Sequence, residues 1–505
     1  MKKNLKLLIL PLFVCFISCN EAASNKEEAE NNKEKTSPKK TDIIATTKSS
    51  EAMASFQEGL AALDLNESKK ARNAFTKAIE QDPTMGIAYI LRANTASSFK
   101  EYSDDINAGK VKLDSANNWE KMYAEYQSTN LAGDRKKGLE ILQNIATAYP
   151  DMARAQNDLG NGFAGNNQFD KAREQYQKAI QLNPSWVGGY ASLAGSYMFN
   201  EPKDLKKAEE NSLKVVELAP KSSGAQITLG DCYRAQNDFA KAKTAYAKAI
   251  ELNPTEPEGY YKEGHANIYL GNFDEARKNY ADAGNNDVQK SFGIINTAYS
   301  YLFQNNSTSA LKLLMDEAMK TDTVSANKSK SDNDKSNYLT TCANIAVHNG
   351  DATTLKKVVP MLLPLSERLA NDLGTPEAKI FAQADKLNWE SLLAATEGKY
   401  DEAIAKSEAM KVAIDPIKDD RKFEGYHYNM GFINMKQKKY ADAVTHFEKA
   451  DLNNMYNKYW LAKANEAAGN KDKATSLFKE VAAYNFNDVG NALVREEVKK
   501  KLATP

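Results

Sequence analysis

A six-residue pattern recurs along the chain and constrains its fold more than any other feature. It usually opens with Gly or Asn, has an aromatic residue at its third position in most copies, and closes with alanine. The copies span residues 167–172, 237–242, 271–276, 398–403, 438–443 and 469–474. Gly or Asn suits the end of one helix, an acidic residue the start of the next, and alanine a close approach of two helices. The pattern therefore predicts repeated helix hairpins.

Three copies continue into a second helix in the same way. A tyrosine follows the closing alanine by four positions and a further alanine by seven, which places all three side chains on one helical face. These residues are Ala172, Tyr176 and Ala179, then Ala242, Tyr246 and Ala249, then Ala276, Tyr280 and Ala283. Prolines close the hairpins at intervals of 34, 36 and 34 residues: Pro150, Pro184, Pro220 and Pro254. Glycines take the matching place in the first helix: Gly160, Gly230 and Gly264.

This pattern resembles the tetratricopeptide repeat, a helix hairpin of about 34 residues. Residues 153–186 and 223–256 match it most fully, and residues 52–85 match through a smaller set of positions. The resemblance implies an all-α fold, a superhelical solenoid of stacked helix hairpins with a long concave surface. We expect two repeat blocks, because the register is lost after residue 324 and returns near residue 384.

The chain divides into six predicted segments. They are a lipoprotein signal peptide (1–18), a disordered tether (19–50), an N-terminal repeat array (51–324), a polar linker (325–337), an irregular helical segment (338–383) and a C-terminal repeat-like block (384–505). We expect Pro360 and Pro364 to interrupt the irregular segment. Residues 488–502 have Val494, Val498 and Leu502 at helical spacing, which predicts a final helix that caps the stack.

The first nineteen residues predict export. Lys2, Lys3 and Lys6 precede an apolar run, Leu7 to Ile17, which is too short to span a membrane. An ordinary cleaved signal peptide is one interpretation. The other is a lipoprotein signal, since residues 16–19 resemble the bacterial lipobox, in which the cysteine is lipidated. We expect lipidation at Cys19, with the mature chain anchored at the outer membrane after crossing the inner one.

Charge and cysteine content exclude several classes of function. Among 505 residues, Lys+Arg and Asp+Glu both total 67, so no net charge favours nucleic acid, and we expect no nucleic-acid partner. Four cysteines are too few for a disulfide scaffold. Cys232 and Cys342 are predicted to be small buried residues, with a disulfide between them as the alternative.

Patterns that could carry chemistry each have a structural explanation. Residues 160–165 spell GxGxxG, but the repeat places them in a first helix with no strand before them. Asp332 and Asp334 lack the order of a calcium loop and suit a charged flexible loop. Because no catalytic or metal-binding motif is present, we expect no enzyme activity, no cofactor and no metal.

The remaining expectation is binding. In tetratricopeptide repeats, first-helix positions line the concave surface, and the resemblance implies a groove there that binds envelope proteins or peptides. The candidate groove residues are Arg154, Asn157, Asn161, Asp231, Arg234, Tyr261 and His265. His265 is either a hydrogen-bonded histidine or a ligand. The alternatives to a non-enzymatic scaffold are a hydrolase or peptidase activity in residues 325–505 and carbohydrate binding at the cell surface.

Overall fold

The computed structural model describes residues 43, 45–287, 289–321 and 328–503. The predicted signal peptide, Cys19 and most of the tether lie outside these residues. Every regular element in the described part is helical, so the predicted all-α solenoid is confirmed. None of the described helices combines the length and apolar character needed to cross a membrane.

The N-terminal array alternates inner and outer helices, which are of similar length except for the shorter α3. Its helices are α1 (Ser50–Asp64), α2 (Ser68–Gln81), α3 (Gly86–Arg92), α4 (Phe99–Lys110), α5 (Asn118–Leu131), α6 (Arg135–Ala148), α7 (Ala153–Gly165), α8 (Phe169–Leu182), α9 (Val187–Phe199), α10 (Leu205–Leu218), α11 (Ser223–Ala235), α12 (Phe239–Leu252), α13 (Pro257–Leu270), α14 (Phe273–Asn286), α15 (Lys290–Leu302) and α16 (Ser307–Lys320). A 3₁₀ turn, Ala93–Thr95, follows α3. The GxGxxG residues lie in α7, as the repeat requires.

Longer helices follow, and then a second set of short hairpins. They are α17 (Lys328–Asn349), α18 (Ala352–Leu373), α19 (Pro376–Thr396), α20 (Tyr400–Ile414), α21 (Glu424–Lys436), α22 (Tyr440–Phe447), α23 (Met455–Ala467), α24 (Lys471–Ala483) and α25 (Val489–Ala503). Neighbouring helices pack against each other along the whole series.

The recurring six-residue pattern is a left-handed turn between two helices. Its first residue has a positive φ in every copy: Asn167 (60°), Asn237 (63°), Gly271 (82°), Gly398 (81°), Lys438 (62°) and Gly469 (90°). Glycine and asparagine tolerate this conformation best. The closing alanines Ala172, Ala242 and Ala276 are fully buried. The pattern therefore supplies the turn and the close helix contact of each hairpin.

Glycines of the inner helices make room for tyrosines of the outer helices. A Cβ placed on Gly160 would lie 2.5 Å from Cε1 of Tyr176. The same separation is 2.4 Å for Gly264 and Tyr280. Contacts this short are sterically excluded, so glycine and tyrosine are required as a pair. The tyrosines are buried and belong to the core.

Three sequence expectations about irregular segments are wrong. The polar stretch predicted as a linker is helical from residue 328, because buried Asp332 is paired with Arg368 at 2.7 Å and its neighbours therefore pack. Pro360 and Pro364 lie inside α18 without ending it, on a helix that buries a continuous leucine and valine face. The end of the tether is ordered, since Ala45 is buried and the Thr46 N–H donates to Glu120 at 2.9 Å.

The two repeat blocks share their cores. Residues from α1–α11 cluster with residues from α18–α20, and residues from α13–α16 cluster with residues from α17–α25. The Ser103 hydroxyl of α4 donates to the backbone oxygen of Leu373 in α18 at 3.2 Å. Helix α25 packs against α15, α17 and α23, so it contacts the N-terminal array as well as its own block. Cys232 and Cys342 are free thiols, and both are buried.

The first hairpin also contacts a distant one. Glu67 accepts hydrogen bonds from the hydroxyls of Ser222 (2.6 Å) and Ser223 (3.2 Å), which begin α11. A Cβ on Gly224 would lie 1.8 Å from the backbone oxygen of Leu65, so only glycine permits this approach. This contact brings α1 against the inner helices that follow α7 and fixes one wall of the concave surface.

Candidate binding surface

An open cavity lies on the concave surface between α1 and α13. Its empty volume is about 1520 Å³, including the open mouth. The residues that line it include Asp64, Arg154, Asn157, Asp158, Asn161, Tyr176, Trp186, Ser192, Gly195, Phe199, Asp231 and Glu258. A Cβ placed on Gly195 would meet no atom within 4 Å, so part of α9 faces empty space.

Asp64 holds the wall of the cavity formed by α1. Both of its carboxylate oxygens lie 2.7 Å from a guanidinium nitrogen of Arg154. The indole N–H of Trp186 donates to the same carboxylate at 2.6 Å. The Arg154 guanidinium also lies over the Trp186 ring, 5.1 Å from its centroid. This bidentate pair and the stacked ring fix the positions of all three side chains.

Asp231 holds the opposite wall. It accepts a hydrogen bond from the Tyr246 hydroxyl at 2.7 Å and is paired with Lys262 at 3.0 Å and Arg234 at 3.4 Å. Burial alone raises the pKa of Asp231, but the charges of Lys262 and Arg234 hold it below its ordinary value. Lys262 also pairs with Glu258 at 3.5 Å. The charges on this wall are therefore compensated.

Asp158 lies between these walls and lacks such compensation. Within the described part of the chain it forms no salt bridge within 4.0 Å. Burial raises the pKa of Asp158 to about 7, against the effect of the Arg154 charge and with a contribution from Asp64. Its neighbour Asn157 is 6% exposed, and the Asn157 Oδ1 accepts no hydrogen bond from the described residues. Asn161 accepts from the Tyr176 hydroxyl at 3.0 Å.

The next part of the concave surface is filled by the chain itself. We call residues 484–491 the C-terminal segment. Its Asn485 amide donates to the backbone oxygen of Arg234 at 2.6 Å, and its Phe486 ring lies under the Arg234 guanidinium at 4.5 Å. Its Asn487 amide donates to Asn296 at 2.8 Å. This segment therefore occupies the groove formed by α11, α13 and α15.

The seven candidate groove residues separate into two groups. Arg154, Asn157, Asn161 and Asp231 line the open cavity. Arg234 and His265 lie at or beside the contacts of the C-terminal segment, and the Tyr261 hydroxyl donates to Asp287 at 2.9 Å.

The structure also describes the surroundings of His265. Its Nε2 lies 3.2 Å from Asn296 Oδ1, and burial lowers its pKa to about 3. It is thus a hydrogen-bonded neutral histidine.

Sequence reasoning missed Asp64, Asp158 and Trp186. Asp158 is not at a repeat position assigned to the concave surface, and Asp64 belongs to a hairpin distant in sequence. Trp186, one of four tryptophans in the chain, was the one available signal. Its position just before an inner helix indicates a side chain placed at the entrance of the groove.

The C-terminal block contains a smaller cavity of about 540 Å³ of empty volume. Its polar lining consists of asparagine amides and tyrosines, including Asn344, Asn388, Tyr428 and Tyr456. In the described ranges, no group of three or more His, Cys, Asp or Glu residues could hold a metal ion. This cavity offers no acid–base or nucleophilic arrangement that would favour the hydrolase alternative.

Family models described as "Tetratricopeptide repeat" match residues 52–85, 153–186 and 223–256. These ranges correspond to the hairpins α1–α2, α7–α8 and α11–α12. The chain therefore contains tetratricopeptide repeats, and that part of the sequence prediction is confirmed. Repeats of this type bind other proteins or peptides, so the fold supports a protein interaction scaffold.

Curated relatives share only parts of their length with this chain. Human protein O-mannosyl-transferase TMTC3 is 25% identical over 214 residues, which are 39% of this chain and 23% of the relative. Human tetratricopeptide repeat protein 6 is 30% identical over 105 residues, 21% of this chain and 20% of the relative. The chain thus spans less than a quarter of the length of either relative. Tetratricopeptide repeat proteins are generally non-enzymatic, although one of these relatives is named as a transferase.

Solved structures resemble the chain at low identity. The crystal structure of the APC/C hetero-tetramer Cut9-Hcn1 aligns with a TM-score of 0.36 and 13% identity, covering 85% of this chain and 76% of that one.

Proposed function

We propose that this protein is a non-enzymatic scaffold, lipid-anchored in the bacterial envelope, which holds segments of partner proteins in its open cavity. The observation that carries the proposal is the cavity itself. It is a concave space of about 1520 Å³, lined mainly by side chains of the inner helices and left unfilled by the described residues. A space of this size and shape suits a peptide segment.

The filled part of the groove supports the same proposal. There the C-terminal segment is bound through asparagine amides and a phenylalanine on an arginine. The inner helices of this fold thus already bind a non-helical stretch of chain through side-chain hydrogen bonds and one aromatic anchor. The open cavity continues the same surface, because Phe199 at its edge contacts Phe486 with ring centroids 4.9 Å apart.

A cavity-filling substitution tests the binding role. Gly195→Tyr puts a large side chain into the open cavity at a position where a Cβ meets no atom within 4 Å. Lys178→Tyr places the same side chain at an exposed position of the outer helix α8 and serves as the matched control. We expect affinity capture from envelope extracts to recover a partner with the control and to lose it with Gly195→Tyr. Equal recovery with both variants would contradict the proposal.

The anchor is proposed from the sequence around Cys19, which lies outside the described residues. Labelling with a lipid precursor in a bacterial host tests it. Cys19→Ala should abolish the label and release the protein from the membrane fraction, whereas Cys15→Ala should leave both unchanged. Membrane association that persists in Cys19→Ala would refute the anchor without affecting the binding role.

A further inference from the structure

Once Asp158 is ionised, the described residues leave the open cavity with one uncompensated negative charge. The charged lining residues and their ion-pair partners comprise four carboxylates and three cations. They are Asp64, Asp158, Asp231 and Glu258 against Arg154, Arg234 and Lys262. Asp64 is paired with Arg154, and Asp231 and Glu258 are paired with Arg234 and Lys262. The excess charge therefore belongs to Asp158.

One buried acceptor beside the cavity also has no hydrogen-bond donor. Asn157 is more than nine-tenths buried and lines the cavity, yet its Oδ1 has no donor among the described residues. A buried acceptor without a donor is unfavourable, because folding removes its hydrogen bonds to water and supplies none in return. The adjacent residue, Asp158, is a second acceptor without a salt bridge. A ligand in the cavity that carries N–H groups can donate to Asp158, which lines it.

Aromatic side chains also lie near Asp158. The charge of Asp158 contributes to raising the pKa values of Tyr123, Tyr126 and Tyr176, for which burial is the larger cause. Of these three tyrosines, Tyr176 lines the open cavity, as does Trp186. Carboxylates and aromatic rings are the groups that favour an organic cation, through ion pairing and cation–π attraction.

We propose that the open cavity binds a basic peptide segment, with one lysine or arginine side chain donating its N–H groups to Asp158. This rests on the proposed function, since it specifies the partner segment held in the same cavity. A lysine or arginine supplies N–H donors to Asp158 and the missing positive charge together. An acidic segment would supply neither and would be repelled by Asp158.

The position of Asp158 in the cavity carries an energetic cost. A carboxylate that is held in a groove without a counter-ion destabilises the folded chain once it ionises, and such groups concentrate at functional sites. Asparagine has nearly the same shape and would remove that cost. The binding of a cation offsets the cost in a way that asparagine could not.

Fluorescence anisotropy with three labelled peptides tests the proposal. The peptides are of about ten residues, built from Gly and Ser, with Lys, Gln or Glu at the same two positions, and the full chain is used at pH 8. We expect the Lys peptide to bind at least tenfold more tightly than the Gln peptide, and the Glu peptide to bind most weakly. Asp158→Asn should weaken the Lys peptide about tenfold and leave the Gln peptide unchanged.

Asp170→Asn is the matched control. It removes one negative charge from α8 at a side chain that is 86% exposed and does not line the cavity, so we expect less than a twofold change. Equal losses in Asp158→Asn and Asp170→Asn would overturn the proposal, because they would indicate unspecific attraction. So would a preference for the Glu peptide. A thermal melt confirms that Asp158→Asn is folded.

The two proposals fail in different ways. If envelope partners are still captured in a manner that depends on Gly195 but not on Asp158 or on peptide charge, the basic segment is refuted and the scaffold stands. If no peptide binds and capture is insensitive to Gly195→Tyr, the binding role of the cavity is refuted as well.

Discussion

Two adjoining parts of one concave surface differ in what fills them. The part formed by α11, α13 and α15 is filled by the C-terminal segment, through Asn485, Phe486 and Asn487. The part formed by α7 and α9 is open and contains Asp158 without a salt bridge. Among the described residues, buried atoms without a hydrogen-bond partner occur in both parts: Asn157 Oδ1 in the open part, and Arg234 Nε, His265 Nδ1 and Asn487 Oδ1 in the filled part. The two parts therefore differ in occupancy: the chain's own contacts close one part, and the described residues leave the other open.

The largest expected effect concerns α25, the helix that begins within the C-terminal segment. Val498 of α25 is fully buried in the core that residues from α13–α16 share with residues from α17–α25. Val498→Asp places an unpaired charge there, and we expect the free energy of unfolding to fall by about 3–5 kcal/mol in urea titrations. Val412→Asp, at a side chain that is 74% exposed, is the control and should change it by less than about 0.5 kcal/mol. Similar losses in both variants would mean that α25 does not contribute to the shared core.

Substitutions at two glycines compare the packing of the filled and the open parts of the concave surface. Gly264 lies under the filled part, where a Cβ would be 2.4 Å from Cε1 of Tyr280. Gly264→Ala should therefore destabilise the protein by about 1–3 kcal/mol. Gly195 faces the open cavity, where a Cβ meets no atom within 4 Å, so Gly195→Ala should be neutral or stabilise by up to about 1 kcal/mol. Chemical denaturation measures both, and destabilisation by Gly195→Ala would contradict the open cavity.

Phe486 tests how firmly the C-terminal segment is held. Phe486→Ala removes its contacts with Arg234 and Phe199, and we expect a loss of about 1–3 kcal/mol in stability. Hydrogen exchange should accelerate in residues 484–491 more than in α7 and α9. Exchange that accelerates equally in both regions would show that the two parts unfold together and are not separable.

A smaller, pH-dependent effect concerns Asp158. Its pKa is raised to about 7 in the folded chain from an ordinary value near 3.8, so its carboxyl favours folding while protonated. That contribution is complete below the unfolded pKa and is lost as the pH rises through about 7. Asp158→Asn should thus match the wild type near pH 4 and exceed its stability by about 1–2 kcal/mol at pH 8, since solvent in the cavity moderates the effect.

Thermal melts at several pH values measure this difference. A wild-type protein that is the more stable one at pH 8 would show that Asp158 has a counter-ion in solution.

The sequence predicted the hairpins well because their determinants are local. A left-handed Asn167 or Gly271, an alanine and a proline act within one repeat and can be recognised there. The pairing of Gly160 with Tyr176 also lies within one repeat.

Contacts between distant repeats could not be predicted in the same way. The partner of Asp64 is ninety positions away at Arg154, and Asn485 contacts Arg234 across 251 positions. The polar stretch that begins α17 was wrongly predicted to be a linker for the same reason. Its Asp332 is stabilised by Arg368, which lies in the next helix. Position rules for the concave surface identified four residues of the open cavity but gave no sign that the chain fills the neighbouring part.

Photo-cross-linking at two positions tests most directly whether one part of the surface is open and the other filled. A benzoylphenylalanine at Ser192 faces the open cavity, and one at Tyr269, which accepts from the Asn491 amide at 2.8 Å, faces the filled part. We predict adducts with another protein from Ser192, and adducts within the chain, near residues 491–495, from Tyr269. Intermolecular adducts from Tyr269, or none from Ser192 in envelope extracts, would contradict the account.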